Sequence, residues 1–355
     1  MKTSSKRKSS WKCGTIAITA LLTGLLCQAN EQVAISQNSP DEPITASYSA
    51  EKSIDFIERS VTRWQNRRKC VTCHTNGLHL MAGSQVTPRS RILSENRKFA
   101  RKYLMGYVTG ETKPHGGHGA IEGLVASSSF LAIGEMISGE TLHPDTAKGL
   151  DYIWTQLNES GAWKDWLKCH WGPFEVDDHF GVTLASLAIS MSPQSYKSKP
   201  NVVDAYRKMK RFLETNKVSS LHQKGMLIWI SKHDPTLVSE AEKNAWVAEI
   251  KSLQQMDGGW VLIHLGNEQW KREDSQPQSQ KSDGYATAFA LYTLRQAETP
   301  ADDEIIRRGV SWLKTRQRSS GRWFTHSPRR DGKHYITQAG TSMALMALAS
   351  CGDLD

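Results

Sequence analysis

A short turn ordered glutamine, glycine, tryptophan recurs along this chain and limits what it can fold into. It is clearest at Leu253–Trp260, Leu-Gln-Gln-Met-Asp-Gly-Gly-Trp. Looser copies stand at Gln317–Trp323 and around Gln156–Trp163. Each follows an amphipathic stretch and precedes a more apolar one. The glycine supplies a turn or left-handed conformation at low steric cost. The tryptophan is placed to lie over the end of the helix just left, and the glutamine amide to satisfy orphan backbone groups there. One such exit is a helix stop. Three in register with helix pairs are a repeat.

From Tyr48 onward the hydrophobic period is helical throughout, and strand signals are nearly absent. Amphipathic stretches lie at about 48–68, 90–108, 145–157, 201–215, 236–255 and 302–317. Ile54, Ile57, Val61 and Trp64 set the first apolar stripe, and Ala205, Met209, Phe212 and Leu213 the fourth. Between them, near 70–82, 119–138, 178–191, 219–232, 284–297 and 338–350, lie stretches apolar nearly all round, which predicts burial. Equivalent points on the inner stretches, His74, Leu124, His179, Met226, Ala286 and Thr341, recur every 47 to 60 residues. Six pairs with this alternation are enough to close a ring. The expected fold is all-α, a toroid of six helical hairpins over residues 47–352.

The first 29 residues stand outside that pattern. Lys2, Lys6, Arg7, Lys8 and Lys12 precede an apolar run, Gly14–Leu26, and Cys27-Gln28-Ala29 offers a cleavage site. This is the layout of a signal peptide, and it predicts export to the periplasm or beyond. The run is short for a membrane span, so an uncleaved anchor is the lesser reading. Residues 30–46 are rich in Gln, Ser, Pro and Asp and are expected to form a disordered lead-in. Without the leader, the formal charge of +9 falls to 40 − 36 = +4. No basic run interleaves with aromatic residues, so nucleic acid is not an expected partner.

With those repeats in hand, the chain resembles a known group. Gln255-Met-Asp257-Gly258-Gly259-Trp260 followed by Tyr285–Leu294 is similar to the repeat of squalene–hopene cyclases and prenyltransferase β-subunits. Gly309–Trp323 followed by Ala339–Leu348 looks like another copy. The resemblance covers residues 145–192 and 240–351 most specifically. It implies an (α/α)6 barrel with parallel inner helices around a central cavity. It also implies an apolar or isoprenoid ligand. The cyclases carry two helical domains, and this chain has room for one.

Parallel inner helices place their N-termini at one mouth of the ring, where partial positive charge favours acids and anions. The residues expected there are Cys70, Cys73 and His74; His115 and His118; Cys169, His170, Glu175, Asp177, Asp178 and His179; His222; Asp283 and Tyr285; His334 and Tyr335. Cys70-Val-Thr-Cys73-His74 is the C-x-x-C-H pattern of covalent c-type haem attachment. In that reading both thiols add to the vinyl groups and His74 ligates iron, with His79, Met81, His118 or His179 as a second ligand and a redox partner outside. A Cys70–Cys73 disulfide, or a zinc site using His74, Cys169 and His170, stands beside it.

Glu175-Val-Asp177-Asp178 resembles the D-x-D-D acid motif of class II terpenoid cyclases, with Glu in the first place. The resemblance implies Asp177 as proton donor, with Glu175, Asp178 and His179 around it. Physically, clustered carboxylates in a dry cavity cannot all ionise, and one kept protonated becomes an acid. Helix capping by Asp177 or Asp178 is the plainer alternative. The long polar insertion Val261–Lys281 is expected to act as a lid. Three functions remain open from sequence: acid-initiated chemistry on an isoprenoid, a haem-c protein with the toroid as scaffold, and a non-catalytic binding module.

Overall fold

The computed structural model describes residues 35–111 and 120–355. Among them it has helices and no strand, only two isolated bridges. The amphipathic stretches form α1 (Ala50–Arg68), α3 (Arg91–Val108), α5 (Pro144–Thr155), α8 (Pro200–Thr215), α10 (Glu240–Ser252) and α12 (Glu304–Arg316). The apolar ones form α2 (Asn76–Val86), α4 (Ala120–Ile137), α6 (His179–Met191), α9 (Leu221–Ser231), α11 (Gly284–Gln296) and α13 (Tyr335–Cys351). A single turn, α7 (Gln194–Lys197), precedes α8, and a 3-10 turn spans Leu262–Leu265. No helix among the described residues is long and apolar enough to cross a membrane. The leader, residues 1–29, lies outside the described residues.

The inner helices touch in the order α2, α4, α6, α9, α11, α13, and α13 packs back on α2. The ring therefore closes, and the fold is an (α/α)6 toroid of six outer–inner hairpins. Composition explains the two layers. On α8 only Val202, Ala205, Met209, Phe212 and Leu213 are buried, one stripe of an otherwise charged helix. On α6, α11 and α13 nearly every residue is buried, because each lies between two inner neighbours and an outer helix.

The repeated turn holds successive hairpins together. Trp163, Trp260 and Trp323 each donate their indole N–H to a carbonyl ten residues back, on Ile153, Ile250 and Leu313, at 3.0, 2.8 and 2.8 Å. These carbonyls lie in the last turn of α5, α10 and α12, and those of Ile153 and Ile250 also accept the C-cap amides of Gln156 and Leu253. Trp260 and Trp323 are fully buried, roughly 4–6 kcal/mol of gross apolar burial each. In register with them, Gly161, Gly258 and Gly321 have φ of +84°, +91° and +89°. A Cβ on these three would stand 2.2, 2.7 and 2.2 Å from the carbonyl oxygens of Lys208, Arg308 and Lys52. Each turn thus presses its glycine on the backbone of the next outer helix: α8, α12 and, closing the ring, α1. Gln254 and Gln317 add a clamp, donating to Ile305 O (2.9 Å) and to Ser49 O (2.8 Å), at the start of those helices. In the copy after α5 the equivalent position is Leu157, which forms a bridge to Trp163 instead.

Residues 35–46, within the stretch read from composition as a lead-in, lie along the toroid. Buried Arg322 explains why. Its guanidinium pairs with Glu42 (2.5 Å) and donates to Ser36 O and Gln37 O, so the segment supplies acceptors to a charge that would otherwise be stranded. The insertion 261–281 is also seated. Val261, Leu262, Leu265 and Trp270 are buried, and the Glu273 amide donates to Arg329 O (2.9 Å).

Two predictions follow from this packing. Gly321→Ala should cost at least about 2 kcal/mol in urea unfolding, from the positive φ plus the Lys52 contact. Gly332→Ala, at φ +77° with no neighbour within 4 Å, should cost only about 1 kcal/mol. Equal losses would show that the turn does not press on α1. The second concerns pH. His79 on α2 and His222 on α9 are buried, and burial pushes their pKa down to about 4 and about 3. The unfolded chain takes up protons at these sites below about pH 6.5 and the folded one does not. Stability is therefore lost as pH falls from 6.5, by about 1.4 kcal/mol per unit per histidine. Replacing either residue by Gln should flatten the slope of stability against pH in that window.

Candidate functional site

The loop entering α2 is wound on one residue. Asn76, fully buried, donates to Cys70 O (3.0 Å) and accepts from the Thr72 amide (3.0 Å), while Trp64 Nε1 also donates to Cys70 O (3.1 Å). This fixes Cys70–His74 as a tight bend. No disulfide joins Cys70 and Cys73, and both are free thiols. The His74 ring stands edge-on between Trp64 (4.9 Å) and Tyr335 (5.4 Å). Its Nδ1 is 2.8 Å from Thr75 Oγ1, and that hydroxyl donates to Gln338 Oε1 at 2.5 Å. An amide oxygen only accepts, so the Thr75 proton is committed and its lone pair must take a proton from His74 Nδ1. The imidazole is held as the Nδ1–H tautomer, with a lone pair on Nε2. Burial pushes the ring's pKa down to about 3 and keeps it neutral.

The loop entering α6 supplies the opposite wall. The Cys169 amide donates to Glu175 O (2.5 Å), closing a turn that carries both side chains to one side. Tyr335, first residue of α13, donates through its hydroxyl to Gly172 O (2.9 Å) and ties this loop to the last hairpin. Phe174 packs edge-on against Phe180 (5.2 Å) and Tyr285 (5.8 Å).

Between these loops lies a cavity of about 1000 Å³, lined by Trp64, Cys73, His74, Glu122, Cys169, Phe174, Glu175 and Tyr335, with residues 35–38 along one side. That is the upper end of ordinary ligand cavities. Its interior favours neutral groups. Burial raises the pKa of Glu175, with the nearby Glu122 carboxyl adding to the shift. Burial likewise raises Cys73 and takes Cys169 to about 12. The Cys73 thiol is within hydrogen-bonding reach of the Glu175 carboxyl.

The rim is cationic. Arg63, Arg67, Arg68, Arg322, Arg329 and Lys333 all line the cavity. Arg322 is matched by Glu42 and Arg329 by Glu273 (2.8 Å). Arg329 also lies over the Trp171 ring at 4.3 Å, and Arg68 over Trp64 at 5.8 Å. Arg63, Arg67 and Lys333 form no ion pair with a carboxylate among the described residues. A cationic edge around a neutral interior admits a molecule with an apolar body and an anionic end.

The acid cluster is split by its loop. Of its members Glu175 alone faces the cavity. Asp177 accepts from the His179 amide (2.9 Å) and from Gln223 Nε2 (2.7 Å), beside a small hollow between α6 and α9. Asp178, at the N-cap of α6, pairs with Lys168 (3.0 Å) on the outer surface. His179 is buried against Phe212 (5.3 Å), and burial lowers its pKa. The geometry thus gives Asp177 a capping role and leaves Glu175 as the carboxyl of the cluster on the cavity wall.

The zinc set does not assemble. Cys169 lines the cavity and His170 is exposed, its carbonyl accepting from the Lys271 amide. Among the described residues no group of three or more His, Cys, Asp and Glu side chains is placed to hold a metal. His79 and Met81 are buried in helix packing, and His115 and His118 lie outside the described residues. The insertion 261–281 does not line the large cavity, so it is not its lid. Trp270 instead covers His222 (6.1 Å), which shares a 2.9 Å hydrogen bond with Tyr285. The basic rim and Glu122 were missed from sequence. The one available signal was Arg63 and Arg67, one turn apart on α1 just before Cys70.

Comparison with known proteins follows the geometry. Residues 230–334 match the squalene-hopene cyclase C-terminal domain. No curated protein matches the sequence significantly. Among solved structures, ent-copalyl diphosphate synthase from Streptomyces platensis is similar at TM-score 0.49 and 13% identity, over 78% of this chain and 50% of that one. The chain thus spans half the length of that synthase. A polysaccharide lyase is similar at TM-score 0.50 and 11% identity, over 86% and 97%. A variant of the type II terpene cyclase MstE from Scytonema, in complex with geranylgeranyl dihydroxybenzoate, is similar at TM-score 0.50 and 10% identity, over 86% and 98%. Nearly the whole of that cyclase chain is therefore covered by one toroid. Two named activities on one fold mean that the fold does not choose the chemistry. What the comparisons show is a terpene-cyclase-like α/α toroid with a squalene–hopene cyclase-like segment over its later hairpins.

Proposed function

We propose that the toroid takes up a molecule with an isoprenoid or similar apolar body and an anionic end, and that Glu175 is its proton donor. The observation that carries this is the position of Glu175. It is the one member of the acid cluster on the cavity wall, and burial raises the pKa of its carboxyl, which favours the protonated form. A carboxylic acid kept protonated in a water-poor cavity can protonate an alkene. The proton leaves the carboxyl, the alkene π pair forms the new C–H bond, and the cation is quenched by proton loss elsewhere. Trp64, Phe174 and Tyr335 line the volume the cation would occupy. Arg63, Arg67 and Lys333 stand at the rim to meet the anionic end. Geranylgeranyl dihydroxybenzoate, the substrate bound in the MstE structure, has this form: an isoprenoid chain on a benzoate. In this reading the chain works outside the cytoplasm, after removal of residues 1–29.

Glu175→Gln should lower turnover of a geranylgeranyl-substituted benzoate by about 10²–10⁴-fold while its Kd changes little. The wild-type rate should fall as pH rises through the raised pKa of Glu175, because only the protonated carboxyl donates. Asp177→Asn should leave the rate within a few fold and lower stability instead. Unchanged turnover in Glu175→Gln, with a full loss in Asp177→Asn, would return the acid role to Asp177.

A further inference from the structure

We propose that Cys70, Cys73 and His74 form a covalent haem attachment site, and that a c-type haem is the anionic, apolar-bodied occupant of this cavity. The inference rests on the cavity being built for such a molecule, and not on Glu175 acting as an acid.

The acid mechanism leaves His74 without a task, yet two residues set its tautomer. Thr75 and Gln338 fix the proton on Nδ1 and leave the Nε2 lone pair available. Trp64 and Tyr335 hold the ring edge-on from both sides. A metal-ligating histidine is oriented in this way, by a hydrogen bond on its other nitrogen. The two thiols stand in the C-x-x-C-H spacing, Cys73 on the cavity wall and Cys70 half-buried in the bend just before it, and no disulfide consumes them. Attachment needs no oxidant. Each S–H adds across a vinyl C=C, with sulfur bonding to the inner carbon and the proton to the terminal one, so nothing is oxidised or reduced. The cations at the rim, Arg63, Arg67 and Lys333, match a planar apolar ring bearing two carboxylates. Zinc is the weaker occupant, because neither a third nor a fourth ligand joins His74 and Cys73 among the described residues.

The test uses the full chain, exported in a host with c-type maturation. The wild type should retain haem on a denaturing gel, and mass spectrometry should find the tryptic peptide of residues 70–89 heavier by one haem. Cys70→Ser/Cys73→Ser should lose this mass, and Glu175→Gln should keep it. Thr75→Val should keep the covalent mass but shift the visible spectrum and the reduction potential, because His74 loses its fixed tautomer. The peptide measurement needs only wild type, so it decides even where the double variant fails to fold. Folded wild type with an unmodified 70–89 peptide overturns the proposal, as does stoichiometric zinc in its place. Haem-free protein that binds the geranylgeranyl benzoate refutes haem and leaves the cavity reading standing. Haem-loaded protein that neither binds nor converts the benzoate supports haem and refutes the isoprenoid substrate.

Discussion

The structure depends on one contact made three times: an indole N–H on a last-turn carbonyl of an outer helix, with a glycine two residues earlier pressed on the helix that follows. A helix end leaves carbonyls that water or a side chain must satisfy. Here the tryptophan satisfies one and buries its own surface in doing so. The chain then turns inward at a fixed angle, because the glycine can adopt positive φ and tolerate a neighbouring backbone at once. The third copy, Gly321 on Lys52, joins the last outer helix to the first. Closure therefore uses the same interaction as propagation, and no separate seam is needed. A ring closed in this way has no exposed apolar end to cap, unlike an open solenoid.

Closure has a chemical consequence. All the inner helices begin at one end, so the irregular loops that feed them meet there. Loops entering α2, α6 and α13 bring Cys73, His74, Glu175 and Tyr335 to one cavity from sequence positions far apart. The apolar inner ring lies directly beneath, and desolvation dominates the ionisation of every acid on the cavity wall for which a shift is resolved. Arg63, Arg67 and Lys333 line the cavity without a carboxylate partner among the described residues, whereas Arg322 is buried and paired with Glu42.

The fold was legible because helical burial is periodic. The six inner stretches show as apolar runs, and five have ends within three residues of the expected ones, as at 178–191 against His179–Met191; the first, expected at 70–82, is Asn76–Val86, because Cys70–His74 form the bend that enters it. The site was legible only by residue type. Cys73, His74 and Glu175 were named from motifs, and they do share a wall. Which carboxyl faces inward was not readable. Glu175 and Asp177 are two residues apart in a loop without period, and the Cys169–Glu175 backbone bond decides their directions. Arg63 and Arg67 looked like the solvated face of an amphipathic helix. Only the return of α13 beside α1, bringing Lys333 and Tyr335, turns that face into a rim. Pairings across hundreds of residues leave no local trace.

The same physics ranks the two occupants argued for this cavity. A carbocation is poorly served by three unmatched cations nearby unless the substrate's own anionic end neutralises them. An anionic head on an isoprenoid would neutralise them, and the two carboxylates of the proposed macrocycle would do the same. Both occupants demand Trp64 and Tyr335 as walls, but only one gives a reason for the hydrogen-bond chain from His74 through Thr75 to Gln338. An acid mechanism centred on Glu175 would run equally well with that imidazole in either tautomer. A hydrogen-bond chain that fixes the proton on Nδ1 leaves the Nε2 lone pair for coordination, which the proposed haem would use.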